Sequence, residues 1–496
     1  MWDSMYAFAP LMRLRACCPM SILVTLLLTE MVVAGQKKTL PELGVIKTTE
    51  GVCPGYILIS PLSANKSFLL DTAGQVVHSW QADRKPGQAS YLLKDGSLLR
   101  AGKVDNFFQF PSTTGSGGQI QKYDWDGSLT WDFAASSAYR MSHHDIEPLP
   151  NGNVLCIVWE SYQRAIAVNA GRNPDRLTGD VLWLEAIFEL KPRGLNEADV
   201  VWKWSLLDHV IQDWDESKDN YGNPAEHPEL MDINYMLRPV PDWVHMNSID
   251  YSEELDQIMV GSRTLSEFWI IDHSTTTEEA KGHTGGKRGQ GGDLLYRWGN
   301  AQTYRRGTVD DRRLFNQHDA HWIPKGMPGA GNVLLFNNGM QNSEQDFSSA
   351  DEIKVPLLRD GTYYRKPGAA FGPAEIDWTF EHPGELFSPR ISGAQRLPNG
   401  NTLICSGTQH LLLEVTRDAE IVWMYRNPKR FHHPPRSEQP RNRKSVTRPV
   451  DLPQAELDAM RIPGGVPLED GGTMFRAIKY PPDYPAFRDR NLSPGS

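Results

Sequence analysis

The residues best suited to chemistry in this sequence stand at one repeated place. Gln88, His144, His245, His318, Ser392 and Arg476 each lie seven positions ahead of a turn residue or its equivalent, which makes them one structural position in successive copies of a unit. Three of the six are histidines in a chain with 14. Such a cluster either binds a metal or performs acid, base and nucleophilic chemistry. Asn247 follows His245 by two, on the same face of an extended strand, and a hairpin turning between Ser252 and Asp256 returns Arg263 beside that strand's start. A cationic, donor-rich set of this kind suits an anionic tetrahedral group whose oxygens need several donors at once. Any one of these histidines alone is better explained by a water or carbonyl partner, and Arg263 alone equally well by a surface cation; the shared register argues for function. His318 and His321 form an HxxH pair and His143 adjoins His144, but residues one or three apart on a strand face opposite sides. Neither pair is expected to chelate, and no metal is assigned to the set.

The elements that must position these residues come from an internal repeat. Leu149-Pro150-Asn151-Gly152-Asn153-Val154-Leu155 recurs as Leu397-Pro398-Asn399-Gly400-Asn401-Thr402-Leu403, with looser copies at Leu93–Leu99 and Ile323–Gly326. Asn-Gly and Asp-Gly between apolar runs favour tight hairpins. The cleanest unit, Ile391 to Tyr425, holds four strand-like runs, which is one blade of a β-propeller. Its last strand carries a tryptophan, and the same signature ends near Trp80, Trp131, Trp204, Trp298, Trp378 and Trp423, so the count is six. A first strand near Arg476 has no successors, whereas Tyr56–Ser60, Ser67–Asp71 and Gln75–Trp80 lack a first strand. The expected fold is therefore all-β, a six-bladed propeller whose N- and C-terminal strands share one blade and leave no open sheet edge. Residues 35–496 are then one domain, with insertions at about 161–180, 205–243, 273–291 and 426–472. The acidic cluster Asp213-Trp214-Asp215-Glu216-Ser217 misses calcium-loop spacing and reads as a solvated loop.

Composition narrows the function. With 51 Lys and Arg against 61 Asp and Glu the formal charge is −10, so the basic footprint of a nucleic-acid binder is missing. Arg13 and Arg15 precede an apolar run from Met20 to Val33 that is shorter than a membrane span and carries Glu30. Residues 1–34 therefore read as a cleaved signal peptide, with no stable membrane span afterwards and a periplasmic or secreted destination. Cys53, Cys156 and Cys405 sit far apart in apolar runs and read as buried thiols.

Together these residues resemble one family. Asp242-Trp243-Val244-His245-Met246-Asn247-Ser248-Ile249-Asp250, Glu267-Phe268-Trp269-Ile270-Ile271-Asp272-His273-Ser274 and Gln317-His318-Asp319-Ala320-His321 are similar to segments of the bacterial arylsulfate sulfotransferases, exported six-bladed propellers that use no nucleotide sulfate donor. The resemblance implies that His318 becomes transiently sulfated in a ping-pong transfer from an aryl sulfate to a phenolic acceptor, without a cofactor. It implies catalytic roles for His144, His245 and Arg263. Asn247 and Ser392 are then substrate-binding, Ser392 standing where well-known members have Thr, and Arg476 from the same ring is placed with them. Two departures go with it: no extra N-terminal β domain is expected between the leader and the first strand, and the family's nearby disulfide has no cysteines here. Two other readings stay open. A propeller polysaccharide lyase would need a channel tyrosine, for which Tyr91 is a candidate, and a noncatalytic interaction scaffold would need none of these groups.

Overall fold

Short runs of alternating side chains between Gly-containing turns can bury one face only by pairing, and here they pair in fours. The computed structural model describes residues 42–494 except 106–109, 111–114, 237–239, 341–346, 429–430, 433–449 and 452–462. Its strands form six antiparallel sheets arranged as a six-bladed β-propeller. Blade 1 comprises Pro86–Leu92, Leu98–Lys103, Gly118–Tyr123 and Leu129–Ala134; blade 2, Arg140–Pro148, Val154–Gln163, Val181–Arg193 and Glu197–Ser205. Blade 3 comprises Met246–Ser252, Gln257–Ser262, Glu267–Asp272 and Leu294–Trp298; blade 4, His318–Trp322, Val333–Asn337, Ser349–Ile353 and Trp378–Glu381. Blade 5 comprises Gly393–Arg396, Thr402–Ser406, Leu411–Val415 and Ile421–Arg426. Blade 6 joins Met474–Tyr480 to Tyr56–Pro61, Lys66–Leu70 and Val76–Gln81, with Leu58 opposite Ile478, so the predicted closure is present.

Each seam between neighbouring blades has its own apolar cluster, for example Leu58, Trp80, Leu92 and Tyr123 between blades 6 and 1, or Ile187, Trp204, Val260 and Trp269 between blades 2 and 3. The repeated tryptophans explain themselves at these seams. Trp80, Trp131, Trp204, Trp298, Trp378 and Trp423 each sit on a fourth strand, and each indole N–H donates to a carbonyl at or just before the start of the fourth strand of the next blade: Asp124, Glu197, Gly292, Pro373, Arg417 and Thr72. Such bonds are worth about 1 kcal/mol each, and together they run round the whole ring. The turn asparagines have a second use: Asn153, Asn332 and Asn401 donate to Glu189, Glu352 and Glu414 on the third strands of their blades.

The structure adds elements that the repeat does not signal. Gly44–Thr48 pairs with Ile421–Arg426 as a fifth, outermost strand on blade 5; its short half-buried run has too little pattern to stand out. Inside insertion 161–180 the hairpin of blade 2 extends to Gln163 and Val181, and a short helix, Arg164–Asn169, sits at its tip. Most of insertion 426–472, and the whole leader assigned to 1–34, lie outside the described residues. Cys53, Cys156 and Cys405 are buried and unpaired. Among the described residues no helix is long and apolar enough to cross a membrane.

Candidate active site

Where each inner strand begins, its backbone departs from simple alternation. Gln88, His144, His245 and Ser392 have φ of 110°, 53°, 57° and 90°, and Asp319 beside His318 has 61°. The ladders skip register at the same places, between Pro86 and Ser90, Ser142 and Ile146, Met246 and Ser248, and His318 and His321. A bulge re-aims side chains, and left-handed backbone at residues other than glycine persists only where its surroundings enforce it. One consequence is a correction. His143 and His144 do not face opposite sides: their Nδ1 atoms lie 2.9 Å apart, because the bulge turns both rings inward.

His318 is buried, and the atoms around it fix its tautomer. Asn338 uses its amide nitrogen to donate to the carbonyls of Ser388 (2.6 Å) and Ile391 (2.9 Å), so its Oδ1 points at His318 Nδ1, 2.6 Å away. That oxygen can only accept. Nδ1 therefore carries the proton and Nε2 keeps its lone pair, which accepts a long 3.2 Å bond from the Ile391 N–H. Burial, then the Arg263 charge and His245, push the ring's pKa well below the ordinary histidine value, against the opposing pull of Asn338.

His144 is held by a second chain of bonds. The Glu185 carboxylate accepts from His143 Nε2 at 2.8 Å, which leaves His143 Nδ1 as the acceptor for the His144 Nδ1–H. His144 Nε2 is then the basic atom. Burial comes first, followed by His245, His143, His318 and Arg263, in driving its pKa well down. The His245 ring lies 4.6 Å away, edge to face, with the Asp242 carboxylate against its Nδ1. Arg263 follows the second strand of blade 3, its N–H donates to the His245 carbonyl at 3.0 Å, and its charge is felt at both His144 and His318. Around this group stand Trp159, stacked on His143 at 3.9 Å, and Phe475, whose ring centroid is 6.2 Å from His144 and 6.4 Å from His318. The indole N–H groups of Trp159 and Trp183 are buried and find no acceptor among the described residues.

The structure therefore brings together His144, His245, His318 and the Arg263 charge. Ser392 lies one shell out: its hydroxyl donates to Ser388 Oγ and accepts from the Gly407 N–H. Asn247 donates to the carbonyl of Gln317 at 2.7 Å, so it braces the peptide ahead of His318. Arg476 departs furthest from its expected place. It binds Asp145 at 2.8 Å and Asp319 at 2.7 Å; burial opposes its charge, but the two carboxylates outweigh it and hold the guanidinium firmly protonated. Phe475 takes the level facing the histidines instead. The seven-residue count has no meaning on this strand, because its partner Tyr56–Pro61 comes from the other end of the chain and no hairpin turn joins them. Tyr91 joins this group, donating to Asp145 at 2.8 Å and accepting from Arg476. A cavity of about 1100 Å³ is lined by Tyr91, Glu147, Asp250, Asp319, His321 and Arg476, and its lining does not include His144, His245 or His318.

Asn338, Glu185, His143 and Asp242 are neighbours of the cluster to which sequence reasoning gave no role. Two left signals. Asn338 directly follows the second strand of blade 4 just as Arg263 follows that of blade 3, and Glu185 is a carboxylate between the apolar residues Leu184 and Ala186. Gly115 also belongs to the site: a Cβ there would fall 1.9 Å from His144 Cε1. Gly115→Ala is expected to lower kcat/KM by about 10²-fold through displacement of His144, with a melting temperature close to wild type as the check that the fold survives.

No curated protein matches the sequence. Among solved structures the chain is similar to a Bacteroides caccae protein of unknown function, with 12% identity over 75% of this chain and 93% of that one and a TM-score of 0.40. A Lactobacillus plantarum protein shares 12% identity over 76% and 84% with a TM-score of 0.38, and a streptogramin B lyase 11% over 77% and 82% with 0.36. The family model for arylsulfotransferase (ASST) matches residues 45–433, most of the propeller and every residue of the histidine cluster. The chain belongs to the arylsulfotransferase family, and aryl sulfotransfer is its class of activity.

Proposed function

We propose that this protein moves a sulfuryl group from an aryl sulfate to a phenolic acceptor in two displacements on His318, with no nucleotide donor and no cofactor. The observation that carries the reading is the Asn338 oxygen on His318 Nδ1, which leaves Nε2 as a neutral nucleophile in a buried, cationic setting. In the first step Nε2 bonds to sulfur as the bond from sulfur to the aryl oxygen breaks. The Ile391 N–H, 3.2 Å from Nε2, then transfers its hydrogen bond to a sulfuryl oxygen, and Arg263 balances the negative charge on the others. His245, backed by Asp242, lends a proton to the departing phenolate. In the second step His144 Nε2 takes the proton of the acceptor phenol, whose oxygen attacks sulfur and releases His318. The cycle closes when that proton passes from His144 to His245, whose rings are 4.6 Å apart. The acid and base work is thus divided between two rings, because a ring held neutral by burial is a base and a poor acid at neutral pH.

Trp159, Trp183 and Phe475 give the cluster apolar, buried surroundings, which favour transfer over hydrolysis. Export by the 1–34 leader and a single domain over 35–496 belong to the same reading. The test is a chromogenic aryl sulfate with phenol as acceptor: phenol-dependent release of the chromophore supports the proposal, and release at the same rate without acceptor contradicts it. Asn338→Asp supplies a sharper check. A carboxylate beside Nδ1 stabilises the imidazolium, so the acid limb of the kcat/KM profile should move to higher pH; Asn338→Leu, which frees the tautomer, should lose about 10²-fold in kcat.

A further inference from the structure

Among the described residues, the side chains that converge as metal ligands do lie outside the channel, in the loops around blade 3. His209, His283 and Asp293 offer donor atoms that all fall within 4.8 Å of one another. His209 Nδ1 and His283 Nδ1 each stand 2.8 Å from the same Asp293 oxygen. The partners of His209 make this arrangement unusual. Its Nε2 lies 2.8 Å from the carbonyl of Ala280, which can only accept, so Nε2 must carry a hydrogen. In the neutral ring Nδ1 then presents a lone pair, and it faces a carboxylate oxygen that is also an acceptor. Two acceptors at hydrogen-bond distance need a proton or a metal ion between them.

The ring is built into that position. His209 is fully buried, stacks parallel to Trp204 at 5.5 Å, and packs over Gly292, where a Cβ would come within 2.6 Å of Nε2. A proton on His209 would answer only its own contact with Asp293. A metal ion answers all three donors at once, since ligand atoms around a tetrahedral centre with bonds of about 2.0–2.2 Å lie roughly 3–3.5 Å apart, a small adjustment from the spacing here. Two imidazoles and a carboxylate suit a borderline divalent ion such as Zn²⁺ better than Ca²⁺ or Mg²⁺. His283 is exposed, and a cavity of about 680 Å³ bordered by His227, Glu229, His283 and Asp293 gives solvent access for a fourth ligand.

We propose that His209, His283 and Asp293 bind a divalent transition-metal ion of the zinc class, which ties insertion 205–243 to insertion 273–291 at the outer edge of blades 2 and 3. The ion would serve the fold, because these ligands lie outside the histidine cluster of the channel. The full-length protein, stripped with a chelator and dialysed, is titrated with Zn²⁺ by calorimetry and with Co²⁺ by absorption spectroscopy. One ion per chain, a low-coordinate Co²⁺ spectrum and a melting temperature raised by Zn²⁺ are expected. Asp293→Asn and His283→Ala should each weaken Zn²⁺ binding at least tenfold; the second changes an exposed residue and so tests the site without disturbing the core. The proposal is overturned if wild-type protein takes up no stoichiometric Zn²⁺, or if both variants bind it as tightly as wild type.

Discussion

His318→Ala is expected to release no chromophore from an aryl sulfate above the uncatalysed rate, a loss on the order of 10⁴-fold or more, because the variant has no atom on which the first displacement can occur. The neighbouring rings have other tasks. His144 is committed through Nδ1 to His143, and Asp242 engages Nδ1 of His245, leaving each with one ring nitrogen for proton transfer. The variant should still fold. Its cost is the stranded Asn338 oxygen and a small cavity, about 1–3 kcal/mol, in a propeller held by six interblade seams. Steady-state rates beside a thermal melt separate the two effects, and normal turnover by the alanine variant would remove the nucleophile assignment.

Arg263→Met should lower kcat/KM by about 10²–10³-fold, the usual effect of removing one preorganised partner of a charged transition state, and should also move the pH profile. Burial is the larger cause of the depressed His318 pKa and Arg263 the next. Removing the guanidinium lets the ring protonate more readily, so the acid limb shifts upward, toward the ordinary histidine value of about 6.5. The same depression makes a statement about stability. Below about pH 6.5 the unfolded chain binds protons at His144 and His318 that the folded chain resists, so stability falls as pH falls and levels off only beneath the folded-state values. Arg263→Met should flatten that fall. A variant that loses activity with an unmoved acid limb would show that Arg263 acts on substrate alone.

Much of this was legible in the sequence. The turn repeats and the six tryptophans point to six blades because each has a physical partner: a third-strand carboxylate for three of the turn asparagines, a neighbouring blade's carbonyl for every tryptophan. The shared register of His144, His245 and His318 likewise follows from one feature, the bulged start of the inner strands. That bulge itself was not legible, since a left-handed φ at a histidine leaves no mark on residue type. Strict alternation therefore kept His143 and His144 apart on paper, whereas the fold joins them into a relay with Glu185. Arg476 was misplaced for a related reason: a spacing measured from hairpin turns fails on the strand that closes the ring without one. Asn338 was hidden because an asparagine after a strand is ordinary until its amide is seen between two carbonyls and an imidazole.

The most direct test of the central claim uses wild-type protein and donor without acceptor. After acid-free digestion at high pH, mass spectrometry should find one sulfuryl group per chain, on the peptide containing His318, and adding phenol should discharge it. A sulfuryl group on any other peptide, or none while transfer runs at full rate, would contradict the account.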